Sequence, residues 1–323
     1  MKKSILKRIL IILAVTVAAI LLILAGFSLF DRISYFSFYA NSERYEKMPG
    51  TWSGFVHQGY TKTDGGTRLA CGYMKNGEAS RVYILDGNEN DTFVELKNAD
   101  GSDYAEHTGG IAVYGDVVYI TGTVGMDIFS YADLSDGDGT ATKISEIPTP
   151  IDPAYCTVYN DCLFVGSYYH KGNYETGEDQ RIITPAGDRN TAIITVYHLD
   201  GESGLPVSEA PDEIYSTTGL VQGLAFTDEG DMILSTSYGI SKSRLYIYDT
   251  QKAISDTVDF DGKSIFITYL DSHCLKDVII APPMAEEIIY DNGTVYILNE
   301  SASMKYLFGK LTSGNHIYGY KLK

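Results

Sequence analysis

Cysteine is scarce: Cys71, Cys156, Cys162 and Cys274 are the four in 323 residues. That is too sparse for a disulfide-stapled framework, even in a chain bound for an oxidising compartment. Motifs that announce chemistry are missing as well. There is no Gly-x-Ser-x-Gly elbow, no His-Glu-x-x-His pair and no Gly-rich phosphate loop, so neither elbow-type serine hydrolase, zincin nor phosphate-loop chemistry has a warrant in the sequence. Basic residues are few, with 25 Lys and Arg against 42 Asp and Glu. Four of those bases (Lys2, Lys3, Lys7, Arg8) precede the only long apolar run. Without them the balance is 21 against 42, a net charge of −21 for the remainder. Such a field repels nucleic acid and anionic polymers and suits a neutral or cationic partner, or it serves only to keep the body soluble.

The apolar run, Ile9 to Phe30, is 22 residues long. As a helix it reaches roughly 33 Å, enough for a hydrocarbon core of ~30 Å. No acid occurs before Asp31, and the leading bases place the N-terminus in the cytoplasm and the rest outside. A cleaved signal peptide, which would make the protein secreted, fits less well. A cut after Ala25 leaves Ile23 at −3, and one after Ala19 leaves Val17 there. The expected division is a basic cytoplasmic segment (1–8), a transmembrane signal-anchor (9–30), a juxtamembrane linker or closing strand (31–52) and one all-β domain (53–323). The short cytoplasmic segment carries no signalling domain, so any sensing would require a partner.

Past Phe30 the signal is a repeat. Gly110–Ile120 (Gly-Ile-Ala-Val-Tyr-Gly-Asp-Val-Val-Tyr-Ile) matches Tyr155–Val165 and Glu287–Ile297 in character at each position. Gly223–Leu234 is a fourth copy with a longer turn, and Gln58–Tyr73 a degraded fifth. Each is an apolar strand, a tight turn with Gly, Asn or Asp, and a strand rich in Val, Ile and Tyr, which is a hairpin pattern. Third strands follow at Arg81–Leu85, Asp127–Tyr131, Ile194–His198, Arg244–Tyr248 and His316–Tyr320, and fourth strands at Lys143–Ile147 and Glu213–Ser216. Units of this length and content are propeller blades. The fold class is therefore all-β, a β-propeller of about five blades behind one N-terminal transmembrane helix. A sixth blade would have to lie within 165–220 or 237–284. The last copy stops at its third strand, so an N-terminal segment, Ile33–Tyr39 or Ser53–His57, should supply the outer one and remove an open edge.

The same register bears on the cysteines. A two-residue turn at Asn160-Asp161 pairs Tyr159 with Cys162 and sets Cys156 opposite Val165. The two thiols then point to opposite faces, which disfavours a 156–162 disulfide.

The pattern resembles the exported, membrane-anchored bacterial propeller proteins of the broad YVTN/NHL-like superfamily, most of them uncharacterised. The residues that carry it are Gln58-Gly59, His107-Thr-Gly-Gly110, Val221-Gln-Gly223 with Thr236-Ser-Tyr-Gly239, and Pro282-Pro-Met-Ala-Glu-Glu287 followed by Asn299-Glu-Ser-Ala302 and Lys305-Tyr306. The resemblance implies the fold and export; it supplies no reaction.

First strands of blades line the central channel. The repeat places Gln58, Gly109, Ala154, Gln222 and Glu286 at one equivalent position beside its mouth, with His57 one place earlier, Glu287 one place later and His107 close by. A polar ring of His57, Gln58, His107, Gln222, Glu286 and Glu287 is the candidate ligand site. No cofactor is expected from these residues. Ca²⁺ or another divalent ion could be held by Glu286 and Glu287, although one blade alone supplies carboxylates. Channel-lining polar groups can equally satisfy one another and bound water. Asp136-Gly-Asp138-Gly139 lacks the EF-hand spacing and reads as an interstrand turn. Two functions follow. One is a non-enzymatic binding or scaffolding module at the cell surface for an envelope protein, peptide or glycan. The other is an extracellular metal-assisted hydrolase of lactonase or esterase type, working in the channel.

Overall fold

The structure, a computed structural model, describes residues 2–85, 92–260, 262–306, 309–310 and 312–322. A single helix, Lys2–Ser34, opens it. Its stretch Ile5–Ser34, with a mean hydropathy of 3.1 and an apolar window that is not buried against the rest of the chain, is long and apolar enough to cross a membrane.

Among the described residues, the strands that follow form five blades around one axis, antiparallel through their first four strands. Blade one runs outward from the axis through Phe55–Lys62, Arg68–Met74, Arg81–Leu85 and Thr92–Lys97. Blade two is Ile111–Tyr114, Val117–Thr121, Gly125–Ser130 and Ser145–Pro148. Blade three is Pro153–Tyr159, Cys162–Ser167, Ala192–His198 and Glu213–Thr217. Blade four is Val221–Phe226, Met232–Thr236, Ser243–Tyr248 and Leu275–Ala281. Blade five is Ala285–Asp291, Thr294–Asn299 and His316–Lys321, completed from outside by Ser42–Lys47. The intervals that could have hidden a sixth blade hold outer strands instead. They also hold a two-stranded ribbon (Ile182–Ile183 with Arg189–Asn190) and a hairpin (Ile254–Phe260 with Lys263–Tyr269) that lies parallel on the outer edge of blade three.

Side chains alternate across each strand, so every blade packs on both faces. Five apolar cores result, one in each gap between neighbouring blades. Leu69, Val82 and Val94 meet Ile111, Val118 and Phe129 between blades one and two. The ring closes where Phe55, Tyr60 and Leu85 of blade one meet Leu298 and Ile317 of blade five.

The closing strand is neither of the two segments expected. Ile33–Tyr39 is the end of the long helix and most of a short one, Phe36–Ala40. Ser53–His57 leads into the innermost strand of blade one. Ser42–Lys47 does the closing, with Ser42 opposite Tyr320 and Lys47 opposite His316. Of the aromatic residues past the apolar run, Phe38 is buried and stacks on Tyr320 with ring centroids 5.7 Å apart, wedging the short helix against blades four and five. Phe30 and Phe36 stay exposed. The cysteine register is as read: Tyr159 pairs with Cys162, Cys156 with Val165, and all four thiols are free. Both turn residues, Asn160 and Asp161, have positive φ, as a type I′ hairpin requires. In Asp136-Gly-Asp138-Gly139 the carboxylates accept backbone N–H groups, Asp136 from Asp138 and Asp138 from Thr140, which is turn chemistry.

Candidate functional site at the propeller mouth

The equivalent position found in the repeat has a structural counterpart. The pairing of the first two strands skips Gln58 in blade one, Ala154 in blade three, Gln222 in blade four and Glu286-Glu287 in blade five. Each is a β-bulge, which bends the innermost strand and re-aims its side chain. In blade two, Gly109 and Gly110 precede the strand, and the Gly110 N–H donates to Thr121 Oγ1 at 2.8 Å.

Below the bulges the centre is filled with backbone rather than open. A Cβ added to Gly59 would lie 2.7 Å from the Ile111 nitrogen, and one on Gly110 2.7 Å from the Cys156 nitrogen. One on Gly223 would lie 2.6 Å from the Glu287 Cα. Glycine at these places lets neighbouring innermost strands touch.

The predicted ring residues separate into three groups. Glu287 is 1% exposed. Its Oε1 accepts the N–H groups of Leu224 (2.9 Å) and Ile288 (3.3 Å), while Oε2 has no partner among the described residues. Burial raises its pKa well above the ordinary glutamate value, with the backbone N–H groups opposing. His57 is also withdrawn. Its Nε2–H donates to the Pro49 carbonyl at 2.6 Å, its ring meets Phe55 edge-on, and burial lowers its pKa to about 4. The buried Gln58 amide bonds its own strand at the His57 carbonyl, and Gln222 is half-buried at its bulge. Glu286 and His107 are the two that face a common recess.

That recess is completed by residues the sequence reading did not single out as site residues. In an antiparallel hairpin the end of the second strand lies beside the start of the first. The residues at or just past the ends of second strands therefore ring the same mouth: Tyr73 in blade one, Tyr168 in blade three, Tyr238 in blade four and Glu300 in blade five. Lys305 Nζ donates to Tyr73 Oη (2.8 Å) and pairs with Glu300 (3.1 Å). His107 stacks on Tyr73 with centroids 4.9 Å apart. It is solvent-exposed yet recessed, and desolvation followed by the Lys305 charge lowers its pKa. Glu286 is raised well above the carboxylate range, first by burial, then by Glu300 and Glu287, with Lys305 opposing. Burial raises the Tyr168 pKa too, with Glu286 the next cause, and its hydroxyl donates to the Ser237 carbonyl. His170 stacks on Tyr238 at 3.6 Å. The recess thus offers a buried carboxyl group, a carboxylate paired with an ammonium, an imidazole and several aromatic faces, from blades one, three, four and five and the connection leading into blade two. Among the described residues no three or more His, Cys, Asp and Glu side chains are grouped to hold a metal ion.

The opposite end of the axis carries a basin of about 630 Å³, lined by the hairpin ends of the innermost strands. Four of its polar groups pair with one another: Lys62 with Asp291 at 2.6 Å, and the Tyr114 hydroxyl with Asp161, to which it donates at 2.9 Å. Tyr159 and Phe226 stack at 4.2 Å.

No protein-family model matches the chain, and no curated protein does. Among solved structures it is similar to the PQQ-bound aldose sugar dehydrogenase of Streptomyces coelicolor, with 16% identity over 80% of this chain and 76% of that one and a TM-score of 0.41. It is similar to the glutaminyl cyclase of Myxococcus xanthus, with 9% identity over 87% and 95% and a TM-score of 0.45. BamB of Moraxella catarrhalis gives 10% identity over 83% and 86% and a TM-score of 0.34. At these identities and scores the likeness is one of fold, and nothing about the chemistry of this chain is drawn from it.

Proposed function

We propose that the protein is a membrane-anchored, extracytoplasmic binding module of the bacterial propeller type, resembling the YVTN/NHL-like proteins, that takes a neutral or cationic envelope ligand at its mouth. The ligand class is a glycan, a peptide or a loop of a partner protein. The observation that carries this is the recess around Glu286, where hydrogen-bonding groups of both polarities sit beside aromatic faces. Side chains on strand ends and tight loops of a closed ring are held in place before the ligand arrives, which limits the ordering cost of binding. The acidic field favours the same ligand charge.

The metal-assisted hydrolase has less support. It needs several oxygen ligands from different blades, whereas Glu287 is already committed to the N–H groups of Leu224 and Ile288.

The test is the melting temperature of the full chain against neutral oligosaccharides and amine-bearing peptides. A ligand at 100 times its dissociation constant adds about 2.7 kcal/mol, readily seen as a shift. The shift should disappear in Tyr73→Ala and Glu300→Gln. A ligand whose shift survives both variants binds elsewhere and defeats this reading.

A further inference from the structure

We propose that the mouth face of the propeller lies against the surface of the bilayer that the N-terminal helix enters. This rests on reading that helix as an uncleaved anchor.

The first observation is a ring of exposed apolar tips at the mouth end, one from each blade. Trp52 precedes the innermost strand of blade one. Val124, Ile183, Ile240 and Met304 sit in the connections between second and third strands of blades two to five, which all turn at the mouth end. Their exposures are 70%, 61%, 66%, 77% and 38% in that order. A soluble face gains nothing from five such side chains, and single exposed apolar residues are not distributed by blade symmetry. The opposite end shows the contrast. The five hairpin turns there, Thr63-Asp-Gly-Gly-Thr67, Gly115-Asp116, Asn160-Asp161, Thr227-Asp-Glu-Gly-Asp231 and Asn292-Gly293, hold no large apolar side chain, and the exposed Ile144, Leu205 and Val207 of the far-end connections belong to blades two and three alone.

The second observation is where the helix joins the body. Its last turns, through Ser28, Asp31 and Arg32, share a cavity of about 290 Å³ with Lys310, Thr312 and Asn315 of the mouth-end loop of blade five. The chain then crosses by the short helix to the far end, where Ser42 meets Tyr320. The apolar helix therefore reaches the propeller on the side that carries the tips. Exposed Lys75, Lys171 and Lys242 stand in the same mouth-end connections beside exposed Glu78, Glu175, Glu178 and Asp179, and long basic side chains can reach lipid headgroups from there. A Trp with neighbouring aliphatic tips and lysines is the composition of a membrane–water interface. With this face down, the acidic hairpin turns point into solvent.

Trp52 is the sole tryptophan of the chain and reports on this face directly. The full chain is reconstituted into phosphatidylcholine–phosphatidylglycerol vesicles with lipids brominated near the headgroup. The expected result is loss of most Trp52 emission to the brominated lipid and little quenching by aqueous iodide. Ile183→Asp combined with Ile240→Asp should return the emission to iodide while the far-ultraviolet circular dichroism stays unchanged. Full iodide access without lipid quenching, in protein that resists alkaline carbonate, overturns the proposal and leaves the anchor intact. Protection from both quenchers assigns the face to a protein, a second copy or a partner, and also overturns it. Release by carbonate removes the anchor reading, and the proposal falls with it.

Discussion

Two buried titratable residues, His57 and Glu287, pull the stability of this protein in opposite directions with pH. The His57 Nε2–H faces a carbonyl, so the bare Nδ1 is the site that a second proton would occupy, and it has no partner among the described residues. With a folded pKa of about 4 against 6.5, the unfolded chain takes up a proton that the folded chain refuses. Stability is full above pH 6.5 and falls as the pH drops toward 4, by about 3 kcal/mol for that pKa difference. His57→Gln should flatten this acid limb in urea unfolding measured from pH 7 to pH 4. Glu287 works the other way. Its folded pKa is raised, so above about 4.5 the unfolded chain releases a proton that the folded chain keeps, and stability declines as the pH rises. Glu287→Gln minus wild type should therefore show a difference in stability that grows from pH 5 to pH 8; a constant difference would mean that Glu287 is ionised in the fold. The sequence reading placed His57 in the ring because the repeat counts positions. Neighbours in a strand face opposite sides, and the bulge at Gln58 leaves His57 in the blade interior. Tyr73 and Lys305 were missed for a related reason: their pattern is strand and loop, and only the hairpin register brings them to Glu286.

Strands and turns were the most legible elements. A two-residue Asn-Asp turn settles a register, and the register settles which thiols can meet. Ser42–Lys47 was not legible, because Ser-Glu-Arg-Tyr-Glu-Lys has an exposed, charged edge pattern with no apolar alternation. It nonetheless covers the outer edge of blade five. A chain beginning at residue 48 should lose that edge protection, melt lower and aggregate, whereas one beginning at residue 42 should fold; size-exclusion chromatography and thermal melting separate the two. The hairpin Ile254–Phe260 with Lys263–Tyr269 escaped too, since it leaves blade four in sequence and pairs with blade three in space. The innermost strands yield a sharper expectation. In Gly110→Ala the new methyl meets the Cys156 nitrogen, and the next blade has no room to move. A loss of about 1–3 kcal/mol is expected, and a variant as stable as wild type in chemical denaturation would show that the centre is looser than described.

As a whole, the molecule is held by five apolar cores between blades, with polar groups at both ends of the axis and no fixed ion in the argument for its stability. EDTA, and added Ca²⁺, Mg²⁺ or Zn²⁺, should leave the melting temperature of the full chain unchanged; a fall with EDTA that one metal reverses would return Glu286 and Glu287 to the role of ligands. The closing strand has a consequence for how the ring is made. Arg44 pairs with Tyr318, across nearly the whole length of the chain. One half of that pairing follows directly on the N-terminal helix, and the other does not exist until residues 316–321 have been synthesised. Blade five must therefore wait, open-edged, through the synthesis of everything between. Long-range closure of this kind is slow and leaves strand edges unpaired meanwhile. In the anchored protein proposed above, a helix that keeps the waiting strand next to the emerging chain shortens the search for its partner, so the segment proposed as tether is also the starting clasp of assembly.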